Sequence, residues 1–494
     1  MKRRIEMIVV MMAMAVVCGA AGADVSDVVD EPTRHWHEID TDWMDTFHEP
    51  LEGLEMGLDL RLRNVYARNI LTLNDSFGGA ENWNNYHWQR YRTRWFTRWH
   101  LDEDITFNTR LVWEFWTHCR PRSHPSGFFG QRSTDFDEAM FDHFNIQFRN
   151  AFDMPLTITA GRQDIILGTG WLVLDGTPAD GSRTIHFDAA LRATYEMSDV
   201  SRLDLVYLHN YDSPTKFIKP FNHGAVSDRR HQTQGEDERG AIVYLTHEMT
   251  DMTGLDAYYI FKRERQSARG AQRDKGQDAE VNTFGARLYG ALDENWTYSA
   301  EGAFQFGYAR QREPELEPSR NQRGLGTNNM LTYSFHDDHS NELRVGYEYL
   351  SGDSGHGTNT QFNSLWGDWP QFQRGGDLQA YMWAFEYKGI GNVGNLHRAG
   401  VGHSFKPHQD WTLKTDYNLM WADRNTFDST TPGPLTFSDS GNFRGQMLSA
   451  LASYRCCPKF GMHFLVDYFI PDNYYGPDNR DNALFARVNL EWTF

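Results

Sequence analysis

The last stretch of the chain, residues 483–494 (ALFARVNLEWTF), limits the possible fold more than any other. Leu484, Ala486, Val488, Leu490, Trp492 and Phe494 share one parity, and Phe485, Arg487, Asn489, Glu491 and Thr493 share the other. Successive side chains of a β-strand point to opposite sides, so this is a strand with one oily and one mostly wet face. It finishes on an aromatic residue, and a soluble chain gains nothing by leaving Trp-Thr-Phe at a free end. The expectation is the closing strand of a transmembrane β-barrel, whose outward face meets lipid and whose inward face lines a wet lumen.

The same two-residue rhythm recurs along the chain. Met56, Leu58, Leu60 and Leu62 alternate with Gly57, Asp59, Arg61 and Arg63. Ile105, Phe107, Leu111, Trp113 and Phe115 oppose Asn108, Arg110 and Glu114, and Trp411, Leu413, Tyr417, Leu419 and Trp421 oppose Lys414, Asp416 and Asn418. Ile185, Phe187, Ala189, Leu191, Ala193 and Tyr195 oppose His186, Asp188, Arg192 and Glu196. No sustained helical period competes with this pattern. Short connections (102–104, 153–155, 199–201, 293–295, 337–339, 406–410) take turns with long polar ones (120–138, 212–238, 266–278, 310–326, 423–442, 471–482). Residues 378–388 (LQAYMWAFEYK) read either as a strand or as an amphipathic piece. Counting them as a strand would leave an odd total, so residues 352–395 are assigned to one large loop that folds over or into the pore. The expected class is therefore all-β: a transmembrane antiparallel β-barrel of about 18 strands, with short periplasmic turns and long extracellular loops.

The front end gives an address. Lys2, Arg3 and Arg4 precede an apolar run over 7–17, and Ala21-Gly22-Ala23 offers small residues for cleavage. Residues 1–23 read as a secretory signal peptide. Residues 24–54, acidic with Trp36 and Trp43, read as a periplasmic segment before a barrel over 55–494. No other apolar run spans a bilayer as a helix, and a mean hydropathy of -0.64 excludes a helical membrane protein but not a barrel. The implied location is a Gram-negative outer membrane, where barrel-assembly machinery sets such chains among lipid and lipopolysaccharide. The aromatic share of 14% suits interfacial girdles. A formal charge of -19 argues against nucleic acid as a partner. Cys119, Cys456 and Cys457 form no disulfide framework, and the adjacent pair reads as two turn residues rather than as a vicinal disulfide.

Residues 86–100 say most about the interior. Arg90, Arg92, Arg94 and Arg98 share one parity. Facing lipid, each would cost about 2–4 kcal/mol at the bilayer midplane, so they face the lumen. With Arg61, Arg63, Arg110, Arg192, Arg287, Arg344, Lys414, Arg444 and Arg487 they make a cation-rich interior, shared by Asp59, Glu114, Asp188, Glu348, Asp416, Asp467 and Glu491. Two readings stand side by side. One is an ion-pair network that stiffens a wide barrel. The other is a track for a polyanion, in which fixed guanidinium groups replace water around passing carboxylates.

Three stretches resemble the alginate export family of outer-membrane barrels. Residues 156–195 carry Gly161-Arg162-Gln163, Leu167-Gly168 and Arg183-Thr184-Ile185-His186-Phe187-Asp188. Residues 345–369 carry Tyr347-Glu348-Tyr349 and Ser351-Gly352-Asp353, and residues 467–494 carry Tyr468-Phe469, Pro471 and Tyr474-Tyr475-Gly476. Lys406-Pro407, Asp410-Trp411 and Asp416-Tyr417 are similar as well. The resemblance implies an 18-stranded barrel that passes an acidic polysaccharide outward without its own energy source. It implies Arg162, Arg183, Asp188 and Arg192 as charged lumen groups, and periplasmic polysaccharide-synthesis proteins as partners. Arg162 shares the parity of Leu156 and Ile158, so the expectation is a bulge at Gly161 or a place at the rim.

Other signals are weaker. Gly389-Ile390-Gly391-Asn392-Val393-Gly394 matches G-x-G-x-x-G but opens no helix. His336-Asp337-Asp338-His339 reads as a solvated turn rather than a metal site. Asp478, Asn479, Asp481 and Asn482 suit at most weak surface Ca²⁺ binding, without EF-hand spacing; no other cofactor is expected. Asp188 and Glu196 read as pore lining before glycosidase acids. The function expected is an outer-membrane channel, not an enzyme, that passively exports an anionic, alginate-like polyuronate. The alternatives are an uptake porin for anionic sugars or small acids, and a barrel enzyme or adhesin acting through its loops.

Overall fold

A computed structural model describes residues 47–77, 84–120, 134–135, 138–175, 189–211, 221–222, 236–266, 277–311, 319–367, 376–382, 386, 393–425 and 435–494. The signal peptide, most of the segment 24–54, Arg183, Asp188 and most of the 389–394 motif lie outside these residues. Eighteen strands make one wall: β1 (Leu54–Arg68), β2 (Asn85–His100), β3 (Ile105–Arg120), β4 (Glu138–Phe148), β5 (Leu156–Arg162), β6 (Ala189–Ser198), β7 (Ser201–Asn210), β8 (Glu236–Thr250), β9 (Thr253–Gln266), β10 (Gln277–Ala291), β11 (Trp296–Gln311), β12 (Arg320–Ser334), β13 (Glu342–Leu350), β14 (Leu396–His408), β15 (Trp411–Trp421), β16 (Phe443–Cys457), β17 (Phe460–Pro471) and β18 (Ala483–Thr493). Each pairs antiparallel with the next, and β18 pairs with β1, placing Arg61 opposite Glu491 and Arg63 opposite Asn489. Leu58 and Phe494 exchange both backbone hydrogen bonds, at 2.9 and 2.7 Å. The ring is closed, so each of the eighteen strands has a paired neighbour on both sides.

The turns sit at one end of the barrel and the long connections at the other. Aspartate recurs at the turns for a local reason. The Asp102 Oδ1 accepts from the backbone N–H of Asp104 and Ile105, both at 2.8 Å, and Asp293 does the same for Asn295 and Trp296. One carboxylate thus satisfies two donors that a tight turn would otherwise leave open. The outward face is apolar, with Leu191, Leu205, Val243, Phe284, Val345, Val401 and Val488 exposed. Aromatic side chains border this band. Trp99, Trp296 and Phe335 stand near the turn end, and Tyr66, Tyr207, Tyr308 and Tyr347 near the loop end. These are the two levels at which amphipathic rings meet lipid headgroups.

Two expectations change. The polar run 310–326 is not all loop: β11 reaches Gln311 and β12 starts at Arg320. Its residues are polar because an inward-folded connection meets them. Arg320 pairs with Asp353 at 2.6 Å, and the Gln322 amide donates to the Gln361 carbonyl at 3.1 Å. Nor is the interior wet throughout. Towards the loop end an apolar cluster fills it, built from wall residues such as Val65, Trp88, Leu208 and Ile260 and from two inward-folded connections.

The first of these connections, 163–175, folds as a small hairpin pairing Ile165 with Asp175 and Ile166 with Leu174. The second, 351–395, carries helix α1 (Gly376–Met382), which overlaps the stretch 378–388 that the sequence left between strand and amphipathic piece. The two meet backbone to backbone: the Leu174 N–H donates to the Trp366 carbonyl and the Trp366 N–H to the Leu172 carbonyl, both at 3.1 Å. Together they form a cork. Trp171 stacks on Phe362, and Tyr381 of α1 packs on Phe485 and Trp88 of the wall. Glycines in the wall make room for it. A Cβ at Gly326 would lie 2.8 Å from the Phe362 ring, and one at Gly240 would enter the Trp366 ring.

The lipid face and the cork make separate predictions. Val243→Arg, midway along β8 and facing lipid, should cost about 2–4 kcal/mol, while Trp296→Arg at the turn end of β11 should cost about 0–1 kcal/mol; urea titration of refolding into vesicles reads both. Gly326→Val should leave the heat-modifiable gel shift of the folded barrel intact but make the 351–395 connection cleavable by added protease. A connection equally resistant in both proteins would contradict the seating described.

Candidate functional site

The lumen below and around the cork is where the charged residues gather, and its two sides differ. On the side where the ring closes, β18, β1, β2 and β3 bring Arg61, Arg63, Arg90, Arg92, Arg94 and Arg487 together with Asp59, Glu114 and Glu491. Glu114 binds two guanidinium groups at once, Arg61 at 3.1 Å and Arg90 at 2.5 Å. Arg94 reaches both oxygens of Asp59 through Nε, at 2.9 and 2.7 Å, and Arg63 Nε donates to Asn489 Oδ1 at 2.8 Å. Arg92 lies directly opposite Arg61 across the β1–β2 pair. Its closest carboxylates, Asp59 and Glu491, stand at 3.9 and 3.8 Å, beyond hydrogen-bond reach, and its Nε and Nη1 have no hydrogen-bond acceptor among the described residues.

Along β2 the arginines are graded. Arg90 and Arg92 are each 2% exposed, whereas the Arg98 side chain is 56% exposed and pairs with Glu55 at 3.0 Å. Alternation places these residues on one face, and their order along the strand makes a ladder that opens at the turn end and runs up to the cork.

The far side, β7 to β11, is different. It carries Asp204, Asp256 and Glu301, all buried. Arg192 meets Asp204 at 2.8 Å and Arg287 meets Asp256 at 2.5 Å. Tyr244 donates to Asp256 at 2.7 Å and Tyr258 to Glu301 at 2.9 Å. Lys262 bridges Glu238 and Glu264, at 2.9 and 2.7 Å, and donates to the cork at the Leu365 carbonyl, 2.8 Å. An anion in the lumen therefore meets a cationic side at the seam and an acidic, phenolic side opposite.

The remaining residues singled out in the sequence take distinct places. Arg110 pairs with Asp142 at 2.8 Å and Asp164 at 3.1 Å. A bulge in β4 between the partners of Arg110 and Leu111 allows that contact with Asp142. Burial alone would raise the carboxyl of Asp164, which lies beyond the end of β5; the His143 ring and the Arg110 guanidinium outweigh it and hold the group at about 2. Arg162 ends β5 after Gly161, whose φ is +119°, and donates to the Phe141 carbonyl at 2.5 Å. Gly161 carries the irregular backbone, whereas Arg162 is buried and lies opposite Phe144, part-way up the wall rather than at the rim. Arg344 meets Asp416 at 3.1 Å, and Lys414 shares that lumen face on β15. Arg444 is fully buried against Glu386 of the cork, at 2.7 and 2.6 Å, and lies 4.3 Å over the Tyr474 ring. Arg487 pairs with Asp377 of α1.

Sequence reading missed Arg398, which pairs with Glu348 and with Gln379 of α1, and the acids Asp142, Asp204, Glu238, Asp256, Glu264 and Glu301. Parity held the signal for Asp204, but its inward neighbours Val206 and Leu208 are apolar because the cork covers that level, which blurs the pattern. The 471–482 connection, which carries the residues weighed for Ca²⁺, is partly buried. Asn479 is buried, donating to the Thr72 carbonyl at 2.6 Å and accepting from the Thr436 backbone at 3.0 Å. Cys456 and Cys457 are both thiols, with sulfurs 3.5 Å apart.

Comparison with known proteins agrees with this architecture. Among solved structures the chain is similar to OccK8 (OprE) of Pseudomonas aeruginosa, at 10% identity and a TM-score of 0.53 over 90% of this chain and 98% of that one. OpdK of P. aeruginosa, solved with vanillate, matches at 10% identity and 0.51 over 89% and 98%. OccAB3 of Acinetobacter baumannii matches at 12% and 0.50 over 89% and 99%. At these identities the likeness is one of fold. No curated protein matches the sequence. The family described as alginate export matches residues 53–441, which takes in β1 to β15 and both parts of the cork, and the chain belongs to that family of outer-membrane barrels.

Proposed function

We propose that this barrel is the outer-membrane exit for an anionic polysaccharide, an alginate-like polyuronate that passes outward down its own gradient. The observation that carries the reading is the arginine ladder on β2. Its exposure rises from Arg90 and Arg92 to Arg98, so fixed cations lead from the turn end to a buried guanidinium, Arg92, whose carboxylates stand just out of reach. A carboxylate arriving there would gain charge-assisted hydrogen bonds without first breaking any made by Arg92 Nε and Nη1. In outer-membrane barrels the short turns face the periplasm. The ladder then opens towards the compartment in which an exported polymer is delivered, and the cork faces outside. Family and fold point to a channel rather than an enzyme. With barrel and ladder accounted for, synthesis proteins in the periplasm are the partners this reading requires, and lipid and lipopolysaccharide surround the apolar band.

A second reading, uptake of small anions, draws on OpdK, a barrel of this fold solved with vanillate. The two readings separate in cells and in solution. In the bacterium lacking this chain, export predicts uronate polymer retained in the periplasm; uptake predicts instead a loss of growth on uronate oligomers. In detergent or nanodiscs, calorimetric titration should show binding of oligouronates and none of neutral oligosaccharides of equal length. Arg92→Ala with Arg94→Ala should weaken that binding by about tenfold or more, the loss expected for one or two hydrogen bonds to a charged group. Equal binding of neutral and acidic oligomers would end the proposal.

A further inference from the structure

We propose that the cork is a built-in pseudo-ligand: Asp377 and Glu386 occupy, at Arg487 and Arg444, the places that carboxylates of the passing polymer take when the channel opens. The inference rests on the polyuronate reading above and adds the means by which the closed state is held and released.

Three wall arginines from three alternate strands, Arg398 on β14, Arg444 on β16 and Arg487 on β18, meet polar side chains of one short stretch of the cork. Gln379 meets Arg398, Glu386 meets Arg444 and Asp377 meets Arg487. At Arg94 with Asp59 and at Arg344 with Asp416 the wall supplies its own counterions. At Arg444 and Arg487 the acid comes from the inward-folded connection instead. The Glu386 contact is a two-pronged one, Nη1 to Oε2 at 2.7 Å and Nη2 to Oε1 at 2.6 Å. That is how a guanidinium recognises a free carboxylate, with no feature peculiar to glutamate.

The cork therefore presents two carboxylates, Asp377 and Glu386, to wall arginines on β18 and β16. Its backbone is anchored beside them, where the Leu378 N–H donates to the Asp467 side chain at 3.2 Å. Pulling the cork out into water would leave two deeply buried guanidinium groups short of the acids they now meet, which is unfavourable. Exchanging the acids of the cork for those of the polymer removes that penalty. A neutral solute offers no such exchange, so the device opens for polyanions and stays shut to other molecules.

The test is ion conductance in planar bilayers, with the full chain, in symmetric KCl. Wild type should conduct little until oligouronates are added on the turn side, and then rise at least tenfold; neutral oligosaccharides should leave it shut. Asp377→Asn with Glu386→Gln should conduct without oligouronate at the level of the opened wild type. Asp337→Asn, at an exposed turn, should behave as wild type. The exchange pair Glu386→Arg with Arg444→Glu should restore the low conductance and blunt opening by oligouronates, which shows that the pair rather than general loosening sets the state. Heat-modifiable mobility confirms that each variant is folded. A wild type already as conductive as the double amide variant, or a double amide variant as closed as wild type, overturns the inference. Oligouronates that bind by calorimetry yet do not open the channel also overturn it and leave the proposed export function standing. If oligouronates do not bind at all, both fail.

Discussion

A guanidinium group taken out of water loses several kcal/mol of solvation unless a carboxylate meets it in good geometry. This barrel takes many out of water, because strand alternation allows only two destinations for a side chain and lipid is the worse one. The wall is arranged around that constraint. Glu114 bonds two arginines, Asp59 sits beside Arg92 and Arg94, and Asp142 turns inward at a bulge to reach Arg110. The two readings of the charged interior, stiffening network and anion track, are thus not exclusive. Most pairs are satisfied and structural. The ladder side, where the carboxylates nearest Arg92 stand out of hydrogen-bond reach, is where an anion has most to gain.

Much of the fold was legible because the period of a strand is two and a one-residue slip exchanges lipid face for lumen. The alternation around Arg61, Arg90, Asp416 and Arg487 marked the inward set, and turn aspartates marked the ends. The contents of the lumen were harder to read. Leu208, Val65 and Ile260 face inward yet are apolar, since they belong to the apolar cluster that the cork completes. Arg320 and Gln322 look like loop residues for the complementary reason: they are strand residues whose partners, Asp353 and Gln361, belong to an inward-folded connection. Contacts between segments distant in sequence leave no periodic mark on either one. The same holds for Arg398, whose place in the network depends on Glu348 and Gln379.

The cork explains why the loop-end third of the barrel breaks the pattern of the rest. Glycines at 240 and 326 stand where a wall residue would otherwise project, and the Trp366 and Phe362 rings occupy that volume. The cork carboxylates Asp377 and Glu386 meet β18 and β16, near the seam, while its aromatic contacts lie on several sides, so apolar packing positions it and these two ion pairs decide what can replace it. Specificity for charge and tightness of closure are in this way assigned to different residues.

The seam itself has a consequence for biogenesis. Arg63 and Asn489, hydrogen-bonded side by side, are 426 positions apart in the chain. Bringing such distant segments together is entropically slow, and every hairpin between them can form sooner. During insertion the nascent sheet therefore carries two unpaired borders, each able to recruit a foreign strand, until its final strand of 11 residues arrives. The oily-and-wet terminal segment is a zip fastener as well as a wall stave, and an assembly factor that shields those borders has its task ended by the chain's own final pairing.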